Sequence, residues 1–377
     1  MSEFSVKNYN FRLVALVIAL NVIGILVINS ATGGDRALVT RQIVGICAGI
    51  VVAGVLSFIP YRGILKFYAI IYIGCITFLV LVLVLGLIRG GARRWITLPV
   101  IGQLQPSEFV KIGLIAFFAQ FLGKNEERIN SASVIVQFIG LAALPLILIL
   151  LEPDLSTTIV TAVIIISMIY VAGISYKIIG FFAAIVIPIG TAFMYLIRNG
   201  KLSILNEYQT NRILAFFDTT GAYSDANLQQ NSSIMAIASG QLFGKGLNNT
   251  SLDSVKNGNF LAAEQTDFIF AVIGEELGFV GCLAVIVLFA LIVFECYRMA
   301  AKTEDIRGKI ICTGVGTLIA FQSFTNIAVA IGVFPNTGLP LPFISYGLSS
   351  LMSLYLGLGL VLNVGLTGNT PVVRRYR

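Results

Sequence analysis

The chain has 377 residues, of which 57% are apolar and 11% charged, against roughly 25% charged in an ordinary soluble domain. With a mean hydropathy of +0.92, there is too little polar surface to cover a water-soluble body of this size, so the bilayer is the solvent. The absence of histidine excludes Ser-His-Asp and Cys-His catalysis, histidine-bound zinc or haem, and imidazole proton relays, which leaves acid-base chemistry to carboxylates.

Read with a window of about 19 residues, the chain gives ten apolar segments, at 11–29, 43–59, 67–88, 107–122, 134–151, 156–173, 178–197, 268–297, 310–334 and 343–366. The expected fold class is an all-α integral membrane protein of ten transmembrane helices, forming one polytopic domain over residues 1–377. The first segment is too long for a signal-peptide core and no Ala-x-Ala site follows it, so it is expected to remain as a span. Lys and Arg are biased to one side: fourteen lie on the side of the termini, among them Lys66, Lys124, Arg298 and Arg307, against five opposite, Arg36, Arg41, Arg89, Arg93 and Arg94. The positive-inside rule then puts both termini in the cytoplasm. The net charge of +7 reads as this topology signal, and no nucleic-acid partner is expected. Residues 198–266 form one long extracytoplasmic loop between spans seven and eight, too long for a passive link in a compact bundle. In it, Ile213, Leu214, Phe216 and Phe217, then Ile234, Met235, Ile237, Leu242 and Phe243, suggest short amphipathic stretches lying on the membrane surface. Five cysteines, Cys47, Cys75, Cys282, Cys296 and Cys312, show no CxxC spacing, so neither a disulfide framework nor a metal site is expected from them.

Four polar clusters sit where lipid makes them costly. Residues 90–111 read GGARRWITLPVIGQLQPSEFVK. Pro106, Ser107 and Glu108 form a helix start with the carboxylate at the positive end of the dipole, and Glu108 and Lys111, spaced i,i+3, can pair on one face. That pair is either a structural ion pair or part of a substrate cavity; Trp95 by itself would be an interfacial belt residue. Between spans five and six, in EPDLS (152–156), Asp154 either caps the next helix or takes part in a substrate path. In residues 262–279, AAEQTDFIFAVIGEELGF, Asp267 is the last polar residue before an apolar helix, at the mouth of any cavity. It reads as an N-cap or as a carboxyl whose partial desolvation suits it to general-base work. On a helix starting at Asp267, Glu275 would lie about 80° round and roughly 12 Å deeper, with Glu276 on the opposite side. Residues 326–351 carry Pro335, Pro340 and Pro342 with Gly332, Gly338 and Gly347, which no continuous helix accommodates. Broken backbone at this depth is tolerated where it is buried in protein or lines a cavity.

In these places together the chain resembles the SEDS family (shape, elongation, division and sporulation), the RodA and FtsW type of bacterial membrane protein. The residues that carry the resemblance are RRWI (93–96), QPSEFVK (105–111), PDLST (153–157), YQTNRI (208–213), AIASG and GKG (236–240 and 244–246), QTDFIFAVIGEELGF (265–279) and PNTGLPLPFISYG (335–347). Their order and spacing match over nearly the whole chain. The resemblance implies a peptidoglycan glycosyltransferase that polymerises lipid II outside the cytoplasmic membrane, with a class B penicillin-binding protein as its transpeptidase partner. It implies Asp267 as the essential aspartate, Glu108 and Lys111 as the paired charges of span four, and Arg212 as the arginine of the long loop. The other candidate substrate contacts are Arg94, Trp95, Gln105, Asp154, Glu275 and Ser345. Ala262-Ala263-Glu264-Gln265 replaces the usual Pro-Glu-x-His, so Gln265 stands in the place of a histidine; Leu348 and Glu152 replace a common glycine and glutamine. As chemistry, Asp267 would take the proton of an attacking sugar hydroxyl while Lys111, Arg94 and Arg212 stabilise a leaving pyrophosphate; a divalent cation, Mg or Mn, is a further candidate there. The competing functional classes are a lipid II flippase and a non-catalytic scaffold for the penicillin-binding protein.

Overall fold

The apolar runs fold as helices because a segment in lipid must satisfy its own backbone hydrogen bonds. The computed structural model describes residues 9–89, 92–98, 102–198, 210, 214–217, 224–248 and 265–367. In chain order these form α1 (Phe11–Ala31), α2 (Arg36–Ser57), a short α3 (Tyr61–Ile64) that leads through a 3₁₀ turn into α4 (Tyr68–Leu85), a small sheet, and α5 (Pro106–Lys124). There follow α6 (Ala132–Leu151), α7 (Leu155–Val171), α8 (Tyr176–Arg198), α9 (Ser224–Ser239), α10 (Ile269–Lys302), α11 (Ile306–Ala330) and α12 (Leu348–Thr367). Among the described residues eight helical stretches are long and apolar enough to cross a bilayer: α1, α2, α3 with α4, α6, α8, α10, α11 and α12. The two other expected spans are helices as well. Of these, α7 has 17 residues, and α5 is made less apolar by Glu108, Lys111 and Gln120.

The all-helical expectation needs one correction. Strands β1 (Leu87–Arg89), β2 (Ala92–Leu98) and β3 (Gly102–Leu104) form an antiparallel sheet in that order, with Leu87 opposite Trp95 and Ile96 opposite Leu104. The physical reason is local: glycine and proline in residues 90–102 disfavour a helix, whereas Trp95, Ile96 and Thr97 suit paired strands.

Helices α11 and α12 form the centre, buried over most of their length, while α4 and α8 present mostly exposed apolar side chains as a lipid-facing shell does. Close approach of α2 to α12 follows from a small-residue stripe, Gly45, Gly49 and Ala53, at intervals of four. A Cβ on Gly49 would overlap the ring of Tyr355, and one on Gly359 would meet the backbone of Ala53.

Helix α10 is broken at Gly278, whose φ of +66° is open to glycine. The break leaves two carbonyls and two N–H groups without helical partners, and the stretch after α9 supplies all four. Lys245 N and Gly246 N donate to the carbonyls of Glu275 and Glu276, while Phe279 N and Val280 N donate to those of Gln241 and Leu242. Helix α9 itself does not simply lie on a membrane surface as its apolar residues suggested. Its Gln230 Nε2 donates to the carbonyls of Val329 and Phe334, and its Ser233 hydroxyl to that of Ala330, so it caps the carboxyl end of α11. Ala236 is buried in this contact, while Met235, Leu242 and Phe243 remain exposed; Ile213 lies outside the described residues.

Gly278→Ala should therefore destabilise the bundle, since its Cβ would sit 2.3 Å from Gly244 N at a φ that L-residues avoid. We expect a loss of about 1–3 kcal/mol or more, read as a lower Tm in detergent, against no loss for Gly54→Ala inside α2, which has open space around it.

Candidate active site

At one end of the bundle the starts of α5, α7, α10 and α12 and the end of α11 converge, and the expected polar residues gather there. Helix α5 begins at Pro106 and holds Glu108 in its first turn. One turn on, Lys111 Nζ lies 2.9 Å from Glu108 Oε1, with both side chains buried. Removing two charges from water costs several kcal/mol per ion, so such a pair needs further hydrogen bonds to be stable. It has them: Lys111 Nζ donates to Gln322 Oε1 of α11 (3.4 Å), and the Ser353 hydroxyl of α12 donates to Glu108 Oε2 (3.4 Å).

Asp267 lies in the turn before α10. The cap position of that helix is Phe268, with no side-chain cap, so the carboxylate of Asp267 is not the N-cap that its place in the sequence also allowed. Instead the backbone around it is pinned. Tyr346 N donates to the Gln265 carbonyl (2.8 Å), the Ser345 hydroxyl to that of Thr266 (2.6 Å), and Asn326 Nδ2 to that of Asp267 (2.8 Å). Three successive carbonyls are thus held by α11 and by the broken segment 335–347. Ser345, expected as a substrate contact, is engaged in this scaffold, because its oxygen also accepts from Leu341 N (2.8 Å).

The amides of α11 join the two groups. Gln322 and Asn326 are four residues apart and so share a helix face. Gln322 Nε2 donates to the Pro340 carbonyl (3.1 Å), while Asn326 Nδ2 donates to that of Leu339 (2.7 Å). One helical turn of α11 therefore ties the Glu108 and Lys111 pair to Pro340 and the Asp267 backbone to the adjacent Leu339. Neither amide was singled out from the sequence; the available signal was two amides on one face of an otherwise apolar span.

A second group lies at the corner between α6 and α7. Asp154 caps α7 by accepting from Thr157 N (3.1 Å), and so fulfils the cap reading. It also accepts from Gln105 Nε2 (3.2 Å) and lies 3.9 Å from Arg94 Nε. Arg94 donates to the carbonyls of Glu152 and Pro153, and the Ser156 hydroxyl to that of Thr337 (2.6 Å), which anchors this corner to the broken segment. Trp95 sits half-buried on β2. Glu275 is placed elsewhere: α10 begins only at Ile269, after a turn, so the projection from a helix starting at Asp267 does not apply, and Glu275 Oε1 pairs with Lys245 Nζ (2.9 Å). Glu276 accepts from the Ser30 hydroxyl of α1. Arg212 lies outside the described residues.

Glu152, at the corner outside the spans, is fully buried, and neither carboxyl oxygen has a hydrogen-bond partner. Burial pushes this carboxyl up to about 8, the nearby Asp154 adds to the rise and Arg94 opposes it. An unfolded glutamate titrates near roughly 4.3, so between these values the folded chain binds more protons and stability falls as pH rises. We expect the Tm of the wild type to decline from pH 5 to pH 9 and that of Glu152→Gln to decline less; parallel profiles would refute the assignment.

Comparison with known proteins places this geometry in a family. The model of the FtsW, RodA and SpoVE type, described as cell cycle protein, matches residues 10–369. The peptidoglycan glycosyltransferase MrdB of Escherichia coli (strain K12) is 32% identical over 349 residues, which span 93% of this chain and 91% of that protein. The probable peptidoglycan glycosyltransferase FtsW of Thiomicrospira cyclica is 31% identical over 375 residues, 96% of this chain and 93% of that one. Among solved structures, a chain from work on structural coordination of polymerization and crosslinking by a peptidoglycan synthase complex superimposes with a TM-score of 0.77 at 28% identity, covering 95% of this chain and 97% of its own. The rod shape determining protein RodA of Thermus thermophilus gives a TM-score of 0.69 at 27% identity, with 96% and 98% covered. With the match extending from Asn10 to beyond the end of α12, the chain belongs to the FtsW, RodA and SpoVE family of cell cycle proteins.

Proposed function

We propose that the chain is a peptidoglycan glycosyltransferase that polymerises lipid II at the outer face of the cytoplasmic membrane, with Asp267 as general base. The observation that carries this reading is the pinning of the backbone at Asp267 by Asn326, on the same helical turn that holds Lys111 through Gln322, and of the two preceding carbonyls by Ser345 and Tyr346 of the broken segment. Catalysis by positioned groups needs such pre-organisation, since a base must meet its proton within hydrogen-bond reach. The names of the relatives agree with the reading.

In the reaction an acceptor sugar hydroxyl attacks an anomeric carbon, the bond from that carbon to the polyprenyl pyrophosphate breaks, and Asp267 takes the hydroxyl proton. The leaving pyrophosphate carries away the bonding pair, so cations stabilise it; Lys111, Arg94 and Arg212 are assigned this task. Glu108 orients Lys111, while Gln105 and Asp154 hold the Arg94 corner and Trp95 borders it. No group of three or more acidic or cysteine side chains is gathered for a metal among the described residues. A Mg or Mn ion would therefore take most of its ligands from substrate phosphate and water, as Mg commonly does.

The topology proposed with this activity is ten spans in a single domain, with α5 and α7 crossing inside the bundle, both termini cytoplasmic and residues 198–266 outside. The partner is a class B penicillin-binding protein, in keeping with the similarity to a chain of a complex that couples polymerization and crosslinking.

Polymerisation of labelled lipid II by the chain with its partner tests the base. Asp267→Asn and Asp267→Ala should each lose about 10²- to 10⁴-fold in rate with Tm and partner binding unchanged; normal strands from both would move lipid transport or scaffolding to first place. A second measurement separates structure from chemistry at the buried pair. Lys111→Met leaves Glu108 buried without its cation and should cost about 3–5 kcal/mol of stability. Glu108→Gln with Lys111→Met should recover most of that stability and still fail to polymerise; recovered activity would make the pair purely structural.

A further inference from the structure

At the opposite end of the bundle, where α1 begins and α10 ends, lies a cavity of about 360 Å³, within the range of roughly 300–1,000 Å³ typical of small-molecule sites. Arg12, Arg298 and Lys302 line it, with Phe11 at its lip and Val364 in its wall. Arg298 and Lys302 are four residues apart near the carboxyl end of α10, so their like charges share a face and repel. Arg12 stands in the first turn of α1, which carries no acidic residue, and a cation is unfavourable at that positive dipole end. One anion answers this charge in part: Glu295 takes Arg298 Nη1 at 2.8 Å and the Asn10 amide at 2.9 Å. Arg12 and Lys302 have no ion-pair partner among the described residues. Among the described residues, three cations against one carboxylate leave a surplus of two positive charges around the cavity.

We propose that this cavity binds the phosphodiester headgroup of an anionic glycerophospholipid. A phosphate oxygen set would accept from Arg12, Arg298 and Lys302 together, which removes both the like-charge contact on α10 and the misplaced charge on α1. The lip argues for a lipid as the source of that phosphate. Phe11 is 64% exposed, and Ile18 and Val22, at seven and eleven residues further on, are exposed on the same stripe of α1. Acyl chains can lie along this stripe from a headgroup seated in the cavity. Basic pockets between transmembrane helices at a membrane interface are a recognised place for anionic headgroups. The assignment goes beyond the polymerase reading and stands whether or not that reading holds.

Native mass spectrometry of the purified full chain with phosphatidylglycerol or phosphatidylcholine tests it. The wild type should retain phosphatidylglycerol about tenfold more than phosphatidylcholine, since basic residues at a membrane interface favour a net anionic headgroup over a zwitterionic one. Arg12→Gln with Lys302→Gln should abolish the preference, and Lys302→Gln alone, at an exposed helix end, should halve it or more with Tm unchanged. Lys66→Gln with Lys177→Gln removes the same net charge from exposed residues that do not line the cavity, and should retain the preference. An unchanged preference in the Arg12 and Lys302 variants, an equal loss in the Lys66 and Lys177 control, or no preference in the wild type would overturn the proposal. Displacement of phosphatidylglycerol by excess inorganic phosphate would assign the cavity to a free phosphate and overturn the lipid as its occupant; retention under excess phosphate supports the lipid.

Discussion

Every backbone group at membrane depth must find a partner inside the protein, and the architecture follows from how this chain meets that demand where its helices break. At Gly278 the two freed carbonyls and two freed N–H groups are taken up by residues 241–246. At the end of α11, Gln230 and Ser233 of α9 satisfy the terminal carbonyls. Before α10, three carbonyls in a row are held by Tyr346, Ser345 and Asn326. Each repair joins segments distant in sequence, so the breaks act as cross-links rather than as weak points.

The site is built from these repairs. Asp267 is held at the mouth of the bundle by the same broken segment that receives Gln322 and Asn326 of α11, and Lys111 reaches that helix through Gln322. A displacement of α11 would therefore disturb the carboxylate and the lysine together. The corner at Asp154 is fastened to the broken segment separately, by Ser156 on Thr337. Polar side chains here do two tasks at once: they satisfy buried backbone and they set the geometry of the groups that meet substrate. Ser345 shows the limit of reading such residues from a motif, because its hydroxyl donates to one carbonyl and accepts from one amide, which makes it a positioning residue.

Both ends of the bundle pair part of their charge. At the site end Arg94, Lys111 and Lys245 each meet a carboxylate, at 3.9, 2.9 and 2.9 Å, while Arg93 donates to the Leu83 carbonyl. At the other end Asp305 answers Arg62 (3.1 Å) and Tyr61 (2.8 Å), while the cavity beside α1 carries a surplus of positive charge. In a low-dielectric surrounding such a surplus is stable against water or an anion and not against lipid tails.

Composition alone determined the solvent of this protein, because 11% charged residues cannot cover a soluble body. The ordered motifs determined its family, and local chemistry determined helix starts such as Pro106 with Glu108 and the cap at Asp154. The pairing of Glu108 with Lys111 was legible because i,i+3 spacing on a helix is a local rule. The partners of Asp267, Glu275 and Glu276 were not, since hydrogen bonds across 30 to 246 positions of sequence depend on where helices break and which segments mend the break. The sheet at residues 87–104 was missed for a related reason: a hydropathy window averages over its three short strands. Only the tertiary structure decided that Gln322 and Asn326 join the two halves of the site, because their role lies in which backbone carbonyls the fold brings within reach.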